Sequence, residues 1–525
     1  MTTDVASPPA AHFTPRPRFG DPSQPMNVQG KHVYMIGIAG CGMSGLARML
    51  LARGGIVSGS DVSPSASTEA LEAEAIRVGF DQLSGTLPDR CDLVIASAAI
   101  KPDHPQLLEA ERRGIPTHTY AEALGHCMVG QTSIAIAGTH GKSTTTAMLG
   151  TLLADTGLDP TVIVGANCPQ LGGPPNGGKK GVAGGFRLGA KLIPTGTWKG
   201  RPGILVAEAC EFNRSFHNYH PTIAVITAVE ADHLDCYGSL EAIIESFRDF
   251  AKLLPPAGDN SAGPDGLLLI AHQGAHRREV AAGLACNVQT IGYSPEADWV
   301  VRYDPVSRDT ELLRRTDAGL VHINRWTTPM PGAHNAMNAA TAAVIAHTLG
   351  ANPARAAASL EGFRGLERRS DFLGERQLPH GGTVRVYDDY GHHPTEVDVT
   401  LRALRDFEKP QDRGGRLVCV FQPHQHSRTR FLLDEFASAF SSADIVIVPH
   451  IYFVRDSQAE KQKVSAADLV DKLRARGVQA MHLYPFDAIV EQLEVVCRAN
   501  DLLVVMGAGP VNTIAQRYLA NGSKH

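Results

Sequence analysis

The run Gly138, Thr139, His140, Gly141, Lys142, Ser143, Thr144 follows an apolar stretch at 133–137 and opens a helical pattern over 142–155. A glycine-bearing turn at such a junction offers backbone amides and the positive end of a helix to phosphate oxygens. A lysine reaches the β- and γ-phosphates, and a hydroxyl next to it suits Mg²⁺. Ile136 stands where the full pattern has its first glycine. The small or hydroxylic character of the rest still specifies a phosphate cradle, and ATP is the expected ligand.

Such a loop needs acids to complete a metal site. Glu208 ends an apolar run at 203–207, and Glu230, Asp232 and His233 follow another at 222–229. Side chains at the carboxyl ends of parallel strands face a ligand bound there. Carboxylates at two strand ends with an imidazole suit one or two Mg²⁺ ions between anionic groups. A zinc site is not indicated, because His233 has no second histidine or cysteine at a ligand spacing.

A second glycine loop lies nearer the N-terminus. Gly40, Gly42 and Gly45 fit GxGxxG, Gly37 precedes them, Met43 and Ser44 lie within the pattern, and Asp61 ends the next apolar run. The arrangement places a diphosphate at a helix start and an acid at a ribose hydroxyl. NAD, FAD or a nucleotide-sugar satisfies it equally.

The elements that carry these residues alternate between short apolar runs and helical periodicities, which predicts parallel, doubly wound α/β sheets. Runs at 31–38, 56–60 and 91–96 with helices at 43–53 and 106–113 form a first unit. A second unit begins at 133. It contains a glycine-rich excursion at 168–203, read as an insertion, a loop at 255–266, alternating strands at 299–303 and 321–326, and an Ala-rich helix at 334–349. From about 365 the alternation restarts, with strands at 384–388, 417–421, 445–448 and 502–506. The predicted divisions are a disordered tail, 1–28, and three domains, 29–129, 130–364 and 365–525.

Composition narrows the class further. The net charge of −5 argues against a general nucleic-acid binder. The nine cysteines form no CxxC pair, so reduced thiols of a cytoplasmic protein are expected. Residues 1–25 lack an apolar signal core, and no apolar run approaches the ~20 residues of a bilayer span, so no membrane association is expected.

Several further motifs occur in order with the two loops: EACE, EADHLD, GAHNAMNAA, GLERRSDF, DDYGHHPTEV and FQPHQHSRTR. Together, from about residue 29 to the C-terminus, they resemble the Mur ligase family of ATP-dependent amide-forming enzymes. The resemblance implies a Rossmann-like domain for a UDP-linked substrate, a central P-loop-type ATPase domain and a C-terminal Rossmann-like domain. The first loop with DDYGHHPTEV and FQPH is most similar to the branch that joins L-alanine to UDP-N-acetylmuramate. The alternative branch attaches a recycled murein tripeptide to the same UDP-linked carboxylate.

Carried over by motif, Gly37, Gly40, Gly42, Met43, Ser44, Gly45 and Asp61 face the UDP substrate. Residues 138–144, His334, Asn335, Asn338 and Asp389 face ATP, with Asp389 on the ribose. Ser143, Glu208 and His233 serve Mg²⁺. Arg368 or Arg369 places a cation on the transferring phosphoryl group, while Tyr390, His392 and Arg428 face the amino acid, with His392 a candidate base. Gln425 stands where many members have arginine, residues 449–456 replace the commoner acidic-aromatic sequence, and the 168–203 excursion has no counterpart.

Overall fold

The computed structural model describes residues 19–171, 184–258, 264–454 and 456–522. Residues 1–18 of the expected tail and 172–183 of the glycine-rich excursion lie outside the described residues. The chain divides between Gly130 and Gln131 into two compact units.

The first unit is built on five parallel strands, β1 (His32–Ile36), β2 (Ile56–Ser60), β3 (Arg77–Gly79), β4 (Leu93–Ala96) and β5 (Thr117–Thr119), in the order β3-β2-β1-β4-β5. β1 and β4 read as uninterrupted apolar runs because the sheet is covered on both faces. The chain leaves β1 towards β2 on one side and β4 on the other, so a crevice opens at the carboxyl end of β1, where the glycine loop lies. Part of the expected tail packs against the first unit. Met26 and Val28 are buried, and Met26 N and Asp21 O both bond to His126 of the Tyr120–Met128 helix.

The second unit contains two sheets. The larger comprises β6 (Thr132–Ala137), β7 (Thr161–Ile163), β8 (Phe186–Arg187), β9 (Ile204–Glu208), β10 (Ile223–Ile226), β11 (Leu267–Ala271), β12 (Asn287–Gly292), β13 (Trp299–Tyr303), β14 (Asp309–Thr316) and β15 (Gly319–Thr327). Its order is β15-β14-β13-β12-β11-β10-β6-β9-β7-β8. β6 is flanked by β10 and β9, both parallel to it, with Ile136 beside Glu208 and Ala137 beside Ile226. The ends of three strands therefore surround the phosphate loop. β13 to β15 form the antiparallel meander whose outer strands the alternating pattern predicted.

The last sheet comprises β16 (Asp371–Gln377), β17 (Thr383–Asp389), β18 (Leu417–Phe421), β19 (Ile445–Val448), β20 (Gln479–His482) and β21 (Leu502–Met506), in the order β16-β17-β21-β18-β19-β20. Only β16 runs antiparallel to its neighbour. Leu417, Cys419 and Phe421 enter one core and Val418 and Val420 the other, which explains the continuous apolar run of β18. The carboxyl end of β17 leads into the segment that faces the phosphate loop, and that of β18 into the one that meets Asp232.

Candidate functional site

Gly138 turns the chain out of β6 at φ 131°, and a Cβ there would lie 2.0 Å from Thr227 Oγ1. Gly141, at φ 80°, caps the Lys142–Asp155 helix, and its missing Cβ leaves room for Asn338 Oδ1 at 2.7 Å. The loop is braced by the end of β10: Thr139 N donates to Ala228 O at 2.9 Å, and Glu230 N donates to Thr139 Oγ1 at 2.9 Å. Lys142 Nζ curls back onto Gly138 O at 2.6 Å and Thr139 O at 3.1 Å. It also pairs with Glu211 at 3.0 Å. Burial disfavours its charge, but Glu211, together with more distant Glu208, holds its pKa above the ordinary lysine value.

A cavity of about 240 Å³ opens beside the loop, lined on one side by His140, Gly141, Thr144, His334, Asn335 and Asn338. Arg369, Asp389, Thr395 and Glu396 line the other side. Gly138, Thr139, Lys142 and Ser143 belong to the loop but are not among the lining residues. Asn335 donates to Pro331 O at 2.8 Å, and Thr145 Oγ1 donates to Asn338 Oδ1 at 3.2 Å, so both asparagines also fasten the Ala333–Thr348 helix. Burial brings the His334 pKa down to about 4, leaving a neutral imidazole at the wall. Asp389 accepts from Ser370 N and Gly391 N, each at 2.7 Å. Its carboxylate thereby shapes the turns around the cavity, a role the motif did not suggest.

A charged network joins the two walls. His140 Nε2 lies 3.3 Å from Glu230 Oε2, and Nδ1 lies 3.4 Å from Glu396 Oε1. Burial alone would keep this imidazole neutral, but the two carboxylates outweigh it and raise the pKa to about 9. Glu230 is correspondingly held at about 2 against its own burial, with Thr395 Oγ1 donating to it at 2.7 Å. Glu396 Oε2 accepts from His392 N at 2.9 Å and His393 N at 3.3 Å, which closes the start of the Pro394–Glu408 helix. Glu396 and Thr395 were quoted within DDYGHHPTEV but not singled out, since nothing local says that they meet the phosphate loop.

The two arginines separate. Arg369 lines the cavity and approaches Glu396 at 3.7 Å. Arg368 donates from Nε to Asp388 at 3.2 Å and from Nη2 to Gly507 O at 2.6 Å and Gly509 O at 3.2 Å. Arg368 is thus a brace of the last sheet, and of the two expected alternatives Arg369 is the one placed at the cavity. Both guanidinium groups lie about 5 Å from the Tyr390 ring, at 5.0 and 5.1 Å.

Beyond Tyr390, His392 Nδ1 lies 3.1 Å from Tyr390 O, and burial lowers its pKa to about 4. Arg428 reaches the end of β10. Its Nε and Nη2 donate to Asp232 Oδ1 at 3.0 and 2.9 Å, while Nη1 meets His424 Nδ1 at 3.1 Å and Nη2 meets His233 Nδ1 at 3.5 Å. Burial opposes the charge of Asp232, but Arg428 and the surrounding histidines hold its pKa far below the carboxylate range. Gln425 is buried with φ 69°, and its N–H donates to Tyr452 O at 3.1 Å.

The residues expected to hold Mg²⁺ are not gathered into one cluster. Among the described residues, the three-donor clusters within 4.8 Å are Glu211–Asp232–His233 and His140–Glu230–His393. Glu208 belongs to neither and accepts from Gly165 N at 3.0 Å. Glu211, three residues after Glu208 in EACE, links Lys142 to His233, and sequence alone does not rank the two acids. Oxygen donors beside a phosphate cradle fit Mg²⁺, which takes one or two carboxylates and completes its shell with phosphate and water. The His140 cluster fits less well, because its imidazole is protonated at neutral pH.

In the first unit, Asp61 Oδ2 accepts from Ala39 N and Oδ1 from Val62 N, both at 2.8 Å. The acid assigned to a ribose hydroxyl therefore also holds the glycine loop in shape. Gly37 turns at φ 75°, Ser44 Oγ bonds Cys41 O at 3.0 Å, and Met43, Ser44 and Gly45 are buried on the Cys41–Ala52 helix. Gly40 precedes that helix, and Gly42 packs where a Cβ would meet the Tyr120 ring at 2.8 Å.

Comparison with known proteins places these features in a family. The Mur ligase family catalytic-domain model matches residues 32–132, the Mur ligase middle-domain model 136–346 and the Mur ligase glutamate-ligase-domain model 368–509. The UDP-N-acetylmuramate–L-alanine ligase of Acetivibrio thermocellus is 34% identical over 93% of this chain and 96% of its own length. Among solved structures, the UDP-N-acetylmuramate–alanine ligase of Thermotoga maritima aligns with a TM-score of 0.71 at 22% identity, covering 93% of this chain and 98% of its own. A murein peptide ligase from Psychrobacter arcticus aligns with a TM-score of 0.66 at 23% identity, covering 94% and 99%. At those identities the likeness is one of fold, whereas the family models span most of the sequence. The chain belongs to the Mur ligase family.

Proposed function

We propose that this chain joins L-alanine to the carboxylate of UDP-N-acetylmuramate at the expense of ATP, a step of peptidoglycan precursor synthesis in the cytoplasm. The observation that carries the chemistry is the cavity between the phosphate loop and the Arg369–Asp389–Glu396 wall. The substrate pair is favoured by relatives bearing that name across more than nine-tenths of both chains. The murein tripeptide remains the alternative acceptor.

A carboxylate does not condense with an amine at neutral pH, because an oxide is a poor leaving group. Transfer of the γ-phosphoryl group to the muramoyl carboxylate gives an acyl phosphate and ADP. The neutral amine then attacks the acyl carbon, and collapse of the tetrahedral intermediate forms the amide and expels phosphate. Both steps build negative charge on oxygen, which Lys142 and Arg369 are placed to stabilise. Ser143 and His233, with Glu211 from the His233 cluster, are the residues we assign to Mg²⁺, which when bound would neutralise phosphate charge, and Glu208, outside that cluster, would reach it only across the loop. His392 is the candidate to receive the proton lost by the amine, neutral but weakened as a base by the burial that lowers its pKa to about 4, while Tyr390 and Arg428 position the amino acid. Closing this region around the acyl phosphate would exclude water, its main competitor.

Phosphate release tests the reading, measured with ATP and UDP-N-acetylmuramate plus single amino acids or L-alanyl-γ-D-glutamyl-meso-diaminopimelate. Release with L-alanine is expected. Release with the tripeptide alone overturns the choice of acceptor.

A further inference from the structure

We infer that Asp232 is a positioning residue for the amino-acid substrate: it holds Arg428 from one side so that the remaining face of the guanidinium receives the substrate carboxylate. This rests on the reading above that Arg428 meets that carboxylate.

Asp232 stands in the loop that follows β10 and Arg428 on the His426–Phe431 helix, and both side chains are buried, at 8% and 5% exposure. One oxygen, Asp232 Oδ1, accepts from Nε and Nη2 together, and it also accepts from His233 N at 2.7 Å. The aspartate is therefore fixed by backbone before it fixes the arginine. The other partners of the guanidinium are imidazole nitrogens, His424 Nδ1 and His233 Nδ1.

These two kinds of partner differ in strength. A carboxylate attracts the guanidinium through its full opposite charge as well as through its hydrogen bonds, whereas an imidazole nitrogen accepts the bond without that charge. An incoming carboxylate therefore displaces the imidazoles more readily than Asp232, and two parallel N–H donors suit its planar oxygens. In this arrangement Asp232 stays on the arginine when the substrate arrives. It is consequently not the acid that serves the metal, although it lies within the Glu211–Asp232–His233 cluster.

The test compares L-alanine with L-alaninamide, which lacks the carboxylate charge, as acceptors in phosphate release. The readout is the ratio of their kcat/KM values, which is independent of the fraction of folded enzyme and so survives a destabilised variant. Wild type is expected to prefer alanine. Asp232→Asn should shrink that preference about tenfold or more while leaving the KM for ATP within about twofold. Arg428→Lys, which removes the fork, should shrink it likewise, and Asp232→Glu should restore part of it. Mn²⁺ affinity of the enzyme–ADP complex, read by water proton relaxation, should not change in Asp232→Asn. An undiminished preference in Asp232→Asn overturns the positioning role, and a loss of Mn²⁺ affinity shows a metal ligand instead. If wild type turns over alanine but does not distinguish it from the amide, the assignment of Arg428 falls, and that of Asp232 with it.

Discussion

Lys142 Nζ lies 3.0 Å from Glu211 Oε2, and the same ammonium group is shared with the carbonyls of Gly138 and Thr139. The lysine is thus already folded over its own loop, with one carboxylate balancing its charge. A triphosphate entering the loop offers stronger acceptors at the same place. Lys142→Ala should abolish ligation and leave binding of the UDP-substrate largely intact, as measured by phosphate release and by calorimetric titration. Turnover near the wild-type level in that variant would remove the ATP-site assignment.

Arg368 and Arg369 are adjacent in sequence but should fail differently. Arg368 pairs with buried Asp388 and holds the carbonyls of Gly507 and Gly509, so Arg368→Met leaves buried acceptors without a donor. Its main effect should be on stability, about 3 kcal/mol in chemical denaturation. Arg369 faces the cavity instead. Arg369→Met should change stability little and lower kcat about 100-fold, the usual scale for losing a donor to developing oxyanion charge. The reverse pattern would exchange the two roles.

The network around His140 predicts a pH dependence. A histidine whose pKa is raised in the folded state stabilises that state fully below its unfolded value of ~6.5 and loses the contribution as pH rises through its folded value. For His140 that upper limit is about 9. Glu230, lowered to about 2, contributes above the ordinary glutamate range and fails only in strong acid. The Tm advantage of wild type over His140→Gln should therefore narrow steadily from about pH 7 to about pH 10. An advantage that is constant across this range would mean that His140 is not charged between the two glutamates.

The strand, phosphate loop and helix from β6 to Asp155 were legible because each step has a local signature: an apolar run, positive-φ glycines, then hydroxyl residues at a helix start. What those residues meet was not legible. Lys142 finds Glu211 69 residues away, and Thr395 finds Glu230 across 165. The pairing of β6 with β9 sets the first contact, and the approach of the last sheet to the larger one sets the second, so neither is a local pattern. The missed strands have a physical explanation too. β16 is an edge strand with a bulge between Phe372 and Gly374, so its DFLGERQ sequence carries no continuous apolar face. β14, DTELLRRT, lies in a half-exposed meander where arginines are tolerated. The division of labour between Arg368 and Arg369 likewise depended on which carbonyls the last sheet brought near.

The two loop glycines should not be equally sensitive to alanine. At Gly141 the obstacle to a Cβ is one side-chain atom, Asn338 Oδ1 at 2.7 Å, which can shift by rotation. The remaining cost is the left-handed backbone at φ 80°, about 1 kcal/mol for a residue with a Cβ. At Gly138, φ is 131°, and the Cβ would meet Thr227 Oγ1 at 2.0 Å and the backbone nitrogens of Thr227 and Ala228, each at 2.9 Å. Those nitrogens belong to the end of β10 and cannot move without dragging the strand that carries Glu230. Gly138→Ala should therefore destabilise the protein more than Gly141→Ala and reduce ADP binding more severely. Adding Thr227→Ala removes the nearest atom but not the backbone contacts, so the double variant should recover little. Full recovery of ADP affinity in that double variant would show that the threonine hydroxyl alone requires a glycine at 138.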